Sequence, residues 1–139
     1  MKRWILLDTG VMVASLNRQD RCHFWAIQQL RTLQPPLLTC EAVISETCFL
    51  LHHAERHLHA VFEWLQNGAI VVPFHLSNEI PQIETLMRKY ADVPMSFADA
   101  CLVRMAELHD DSAILTLNAD FRIYRKHGRQ RIETIMPAE

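Results

Sequence analysis

Four acidic residues stand where helices and strands do not ordinarily put charge. Asp8 ends the apolar run Trp4-Ile5-Leu6-Leu7. Glu46 lies in Val43-Ile44-Ser45-Glu46-Thr47-Cys48-Phe49-Leu50-Leu51, the most apolar helical stretch of the chain. On a helical period it shares a side with Val43, Thr47 and Leu50. Asp99 sits among the small and apolar residues of Ser96-Phe97-Ala98-Asp99-Ala100-Cys101-Leu102, and Asp120 follows Ile114-Leu115-Thr116-Leu117-Asn118-Ala119. A lone acid in such surroundings is costly to desolvate unless it finds a partner or a cation. If the four meet, they cannot stay bare. Two unit charges ~4 Å apart repel by about 4 kcal/mol at an effective dielectric of ~20. Protonation or bound cations relieve this. An oxygen-only set suits Mg²⁺ or Mn²⁺, and a site of that kind acts on phosphates.

Each acid also has a local explanation. Asp8 or Thr9 can cap a helix that starts there. Ser96-x-x-Asp99 fits the capping-box spacing. Asp120 can cap the turn into Phe121-Arg122, and Glu46 can pair with a buried arginine. Bringing all four together requires a fold that collects element ends at one edge.

The rest of the chain supplies one. A short continuous apolar run at residues 4–7 reads as a strand buried on both faces, as in the middle of a parallel sheet. Asp8 then lies at the strand's C-terminal end, where open α/β sheets bind ligands. Residues 11–17 and 21–33 read as helices, the second stopped by Pro35-Pro36. Residues 37–39 read as a short strand. Helices are expected at 41–54 and 57–66, with Gly68 as a C-cap, then a strand at 69–74. A helix over 77–90 carries Pro81 in its first turn, and a loop at 92–94 leads to a helix over 96–109. Strands at 113–117 and 131–135 complete the pattern. Alternating strands and helices give a parallel sheet covered on both faces.

The 139 residues amount to one domain, residues 1–139, and half of them are apolar, enough for a packed core. A net charge of −2 excludes a globally basic nucleic-acid binder, so polyanion binding must come from a local patch or from metal ions. The N-terminal apolar run is broken by Asp8, Asn17, Arg18 and Asp20, so neither a signal peptide nor a membrane span is expected. Cys22, Cys40, Cys48 and Cys101 show no C-x-x-C spacing and read as reduced core thiols of a cytoplasmic protein.

Taken in order, several short motifs resemble those of PIN-domain proteins, the family that includes the VapC-type ribonuclease toxins. They are Leu7-Asp8-Thr9, Ser45-Glu46, the stretch Tyr90-Ala91-Asp92-Val93-Pro94-Met95-Ser96-Phe97-Ala98-Asp99-Ala100, and Leu115-Thr116-Leu117-Asn118-Ala119-Asp120-Phe121 followed by Tyr124-Arg125. The resemblance implies a three-layer α/β/α sandwich with a central parallel five-stranded sheet. It implies Mg²⁺- or Mn²⁺-dependent hydrolysis of RNA phosphodiesters, leaving 5′-phosphate and 3′-hydroxyl ends. Asp8, Glu46 and Asp99 would be the main metal ligands, direct or through water, Asp120 the fourth acid, and Thr9 a hydroxyl near the metal. Members often carry an acid where Asn118 stands, so the resemblance leaves one or two metals open. It also implies RNA as substrate and a cognate antitoxin as partner in a type II toxin–antitoxin pair; a homodimer is a further expectation, from Phe24, Trp25, Phe62 and Trp64. The alternative is a non-catalytic PIN scaffold that binds RNA or a partner protein.

Other signals point less far. Asp8-Thr9-Gly10 matches the retroviral-type aspartic-protease motif, but three glycines in a mostly helical chain do not make that β-rich fold. His52, His53, His57 and His59 lack the H-E-x-x-H and H-x-x-E-H spacings of zinc enzymes. No Gly-rich phosphate loop is present. Arg122, Arg125 and Lys126 open the one dense basic stretch, with Arg129, Arg131, Tyr124 and Phe121. Beside Asp120 they read as contacts to a phosphate backbone, or else as a solvated helix face and turn. Phe24, Trp25, Phe62 and Trp64 read as core, or as a dimer or antitoxin face.

Overall fold

The computed structural model describes residues 3–138. Strand β1 (Trp4–Leu7) leads through Asp8 into helix α1 (Thr9–Leu16). Then come α2 (His23–Thr32), β2 (Leu37–Leu38), α3 (Glu41–Leu50), α4 (Glu55–Gln66) and β3 (Ile70–Val71). The second half holds α5 (Ile80–Lys89), α6 (Phe97–Leu108), β4 (Ser112–Leu115), β5 (Arg125–Lys126), β6 (Gln130–Arg131) and β7 (Thr134–Ile135).

Five strands form a parallel sheet in the order β3-β2-β1-β4-β7. Helices cover it on both sides, giving the α/β/α sandwich. β1 lies in the middle, with Ile5, Leu6 and Leu7 at 6% exposure or less. The chain steps outward from β1 to β2 and β3, then crosses back to place β4 on the other side of β1. The order therefore reverses between β1 and β4, and a crevice opens at their carboxyl ends. Helix α6 contributes eight buried residues, from Ala98 to Ala106, and packs on α3, α5, β1 and β4. A helix this apolar all round belongs in the middle of a fold.

Several element bounds differ from the sequence expectation. The expected strand at 69–74 pairs only over Ile70–Val71, because Pro73 has no N–H to give to a ladder. The expected helix from 77 starts at Ile80, after a 3₁₀ turn at Leu76–Asn78, which leaves Pro81 in the first turn where its missing N–H costs nothing. The helix expected to reach 54 ends at Leu50. Leu51 is buried there, and the exposed His52 and His53 carry the chain round to α4. Gly68, at φ 82°, follows the C-cap of α4 as expected. The basic stretch is not a helix. It is a 3₁₀ turn (Ala119–Arg122) and an antiparallel hairpin of β5 and β6, turned at His127 and Gly128, both with positive φ. Only Thr134–Ile135 joins the main sheet as the last strand.

The aromatic quartet divides. Trp25 and Trp64 pack against the core, whereas Phe24 and Phe62 are 85% and 51% exposed. All four cysteines are free thiols, with Cys40 and Cys101 buried. Among the described residues no helix is long and apolar enough to cross a membrane.

Candidate active site

Asp8 is delivered by β1. Its backbone N–H continues the ladder to the Leu115 carbonyl, so the carboxyl emerges at the crevice between β1 and β4. It does cap α1: Oδ1 accepts from the Thr9 N–H at 2.8 Å. Oδ2 is left for another donor, the Thr116 hydroxyl, at 2.6 Å. Thr116 is wholly buried just past β4, and its hydroxyl also accepts from the Asn118 N–H at 2.9 Å. Burial pushes the Asp8 carboxyl up to about 6. The hydrogen bonds from Thr116 and Thr9 pull it down, and the negative charges of Asp99 and Glu46 add to the rise.

Asp99 lies in the first turn of α6, buried, and Ser96 caps that helix by accepting from the Asp99 N–H at 3.0 Å. The capping spacing is thus used by the backbone. The carboxylate goes elsewhere and accepts on Oδ2 from the Tyr124 hydroxyl at 2.8 Å.

Glu46 corrects an expectation. Val43 and Thr47 are buried, but Glu46 itself is exposed, and Leu50 is 50% exposed. The residue stands at the boundary of the buried stripe of α3, so it is not desolvated. It faces the crevice rim, where Oε1 accepts from the Thr9 hydroxyl at 2.8 Å. Asp120 is half-buried in the 3₁₀ turn after β4. The Asn118 side chain caps that turn, its Oδ1 accepting from the Asp120 N–H at 3.0 Å.

These pieces meet. A cavity of about 400 Å³ is lined by Asp8, Thr9, Gly10, Glu46, Pro94, Ser96, Asp99, Leu117, Asn118 and Asp120. All four acids singled out in the sequence, and both supporting residues Thr9 and Asn118, therefore share one wall. Among the described residues, no group of three or more His, Cys, Asp and Glu side chains is spaced to grip an ion directly. The donors that line the cavity are nonetheless carboxylate, hydroxyl and amide oxygens, and the mutual repulsion felt by Asp8 favours a cation. The set fits a divalent ion that keeps part of its water shell, as Mg²⁺ does.

The basic residues do not join this cavity. Arg125 Nη1 donates to the carbonyls of Arg122, Ile123 and Tyr124 at 2.7, 3.0 and 3.1 Å, closing the end of the 3₁₀ turn. Its guanidinium borders a different hollow, with Pro81, Thr85 and Lys89. Lys126 reaches the Asp110 carbonyl at 3.4 Å, at the opposite end of β4 from the acids. Arg122 is exposed on the turn and does not line the acidic cavity. The hairpin turns Arg125 and Lys126 toward backbone carbonyls outside the acidic cavity.

Two contributors were not singled out by the sequence reading as partners of the acids, Thr116 and Tyr124. Thr116 had a signal: it is the one hydroxyl in Ile114-Leu115-Thr116-Leu117, and a buried hydroxyl must find a partner. Tyr124 had none that distinguished it from a stacking or packing ring.

Comparison with known proteins gives the following. The profile of the PIN domain family matches residues 5–126. Among solved structures, the chain is similar to VapC20 of Mycobacterium tuberculosis, described as a sarcin-ricin loop cleaving toxin. The TM-score is 0.76 at 20% sequence identity, over 84% of this chain and 91% of that one. No curated protein sequence matches.

Proposed function

The chain belongs to the PIN domain family, and from that premise we propose that it is a Mg²⁺- or Mn²⁺-dependent endoribonuclease. One observation carries the proposal: four acids from four separate segments line one cavity at the point where the strand order reverses. When bound, the divalent ion supplies charge stabilisation at the phosphate and a more acidic water. The chain supplies the rest. Asp8 and Asp99 are each held by a buried hydroxyl, Thr116 or Tyr124, and would be among the residues that hold the ion. Glu46, exposed at the rim and tied to Thr9, would take a proton from the attacking water. Asp120 adds the fourth charge, with Asn118 holding its turn. In-line attack by water breaks the bond from phosphorus to the 3′ oxygen and leaves 5′-phosphate and 3′-hydroxyl ends.

The similarity to VapC20 makes a sarcin-ricin loop RNA a reasonable first substrate. The exposed apolar side chains Phe24 and Phe49, at 85% and 71%, support a partner protein that covers them, and a cognate antitoxin is the proposed one. The test is incubation of the purified protein with labelled RNA, with and without Mn²⁺. Asp8→Asn and Asp99→Asn serve as controls. Both variants should fold and lose cleavage by at least about 100-fold, in line with loss of a group that acts in the reaction. Equal cleavage by either variant would remove the assignment.

A PIN scaffold that binds RNA or protein without cutting it is favoured by one observation. Asn118 spends its oxygen on a backbone cap and brings no charge to the cavity. That alternative predicts no ion uptake at millimolar Mn²⁺.

A further inference from the structure

Tyr124 heads the large side chains wholly enclosed in the core, and it ends in a hydroxyl. A phenol in such a place must find a partner. Its ring meets Phe121 and Tyr90 edge-on, with centroids 5.2 and 5.1 Å away. The Tyr90 hydroxyl in turn accepts from the Arg125 backbone N–H, next in the chain, at 2.8 Å. The hairpin beyond is pinned to the helices. Lys89 Nζ donates to the Gly128 carbonyl at 3.0 Å, and Glu107 accepts from the His127 N–H at 2.7 Å. The ring is clamped from both sides, and its hydroxyl reaches Asp99 Oδ2, a carboxylate on the wall of the acidic cavity.

We propose that Tyr124 is a positioning residue, whose hydroxyl holds Asp99 by one oxygen and so leaves Oδ1 to face a divalent cation. This rests on the metal-site reading above. Without the phenol, repulsion from Asp8 would turn the Asp99 carboxylate away from the crevice, because among the described residues no other hydrogen bond holds that side chain inward. The Lys89–Gly128 and Glu107–His127 ties then have a purpose beyond closing the fold: they keep the hairpin, and with it the phenol, from moving when the cavity fills.

Tyr124→Phe removes one oxygen and keeps the ring. Tyr90→Phe is its control, since it also deletes a core hydroxyl, but one that serves a backbone N–H. Calorimetric titration with Mn²⁺ alone should show about 10-fold or greater weakening in Tyr124→Phe, the usual effect of losing a group that orients a ligand. Tyr90→Phe should bind as the parent does. A crystal structure of metal-free Tyr124→Phe should show the Asp99 carboxylate rotated. Parental affinity with an unrotated Asp99 overturns the proposal. So does an equal loss in Tyr90→Phe, which would make the effect one of packing. If the parent protein itself takes up no Mn²⁺, the nuclease reading falls, and the orientation of Asp99 in Tyr124→Phe alone decides the positioning role.

Discussion

The Thr116 hydroxyl donates to Asp8 Oδ2 at 2.6 Å across 108 residues of sequence. The two are neighbours because β1 and β4 pair in register, Leu7 opposite Leu115, and each chain continues by one residue into the crevice. A charge-assisted bond this short opposes the effect of burial on the carboxyl. Thr116→Val keeps the shape and removes the donor. The Asp8 carboxyl should then rise further above 6, so less of it is ionised near neutrality. The rise in Mn²⁺-dependent cleavage with pH should move to higher pH, with a loss of about 10-fold at pH 6 and less at pH 8. Superimposable pH–rate profiles would show that Thr116 has no such part.

Asp8 also sets a stability trend for the metal-free protein. Its carboxyl binds a proton more tightly when folded, at about 6, than when unfolded, at 3.8. The folded state therefore gains from protonation, a gain fully present below pH ~4 and lost as pH rises through ~6. The loss is on the order of 2 to 3 kcal/mol for a shift of this size. In EDTA, Asp8→Asn should flatten this part of the profile and be more stable than the parent at pH 7. Thermal melts from pH 4 to 8 would test it, and parallel curves for the two proteins would refute it.

Asn118→Asp should add an ion without harming the fold. Aspartate caps the Asp120 N–H as well as asparagine does, so the 3₁₀ turn is kept. The added charge lies in the cavity beside Asp120 and Asp99. Mn²⁺ stoichiometry by calorimetry should rise from one to two. An unchanged count would mean that charge at 118 does not limit the second position.

Arg125 is expected to matter for stability and little for substrate. Its Nη1 closes three carbonyls at the end of the 3₁₀ turn. Arg125→Ala should lower stability by about 1 to 2 kcal/mol, and Lys126→Ala by little. Neither should change the salt dependence of RNA binding. A clear drop in that dependence for either variant would make that residue a phosphate contact.

Much of this protein is readable before any fold is known. The run Trp4–Leu7 announces a central strand because apolar residues without alternation need burial on both faces. Asp8, Glu46, Asp99 and Asp120 announce themselves by residue type, since charge in apolar company calls for an explanation. Those features are local, and a sequence carries local preference in full. Tertiary structure decided the rest. Placing β4 against β1 is a matter of which strand lies beside which, and hydrophobic period does not report neighbours. That one adjacency sets Asp8 beside Thr116, Asn118 and Asp120. The exposure of Glu46 was equally out of reach, because a helical period locates the apolar stripe but not where its edge meets a crevice. Arg125 and Lys126 were separated from the acids by a hairpin turned at His127 and Gly128, whose backbone course is settled by what it packs upon. Tyr124 became the holder of Asp99 for the same reason: the two are 25 residues apart, and only the packed core aims the phenol at the carboxylate.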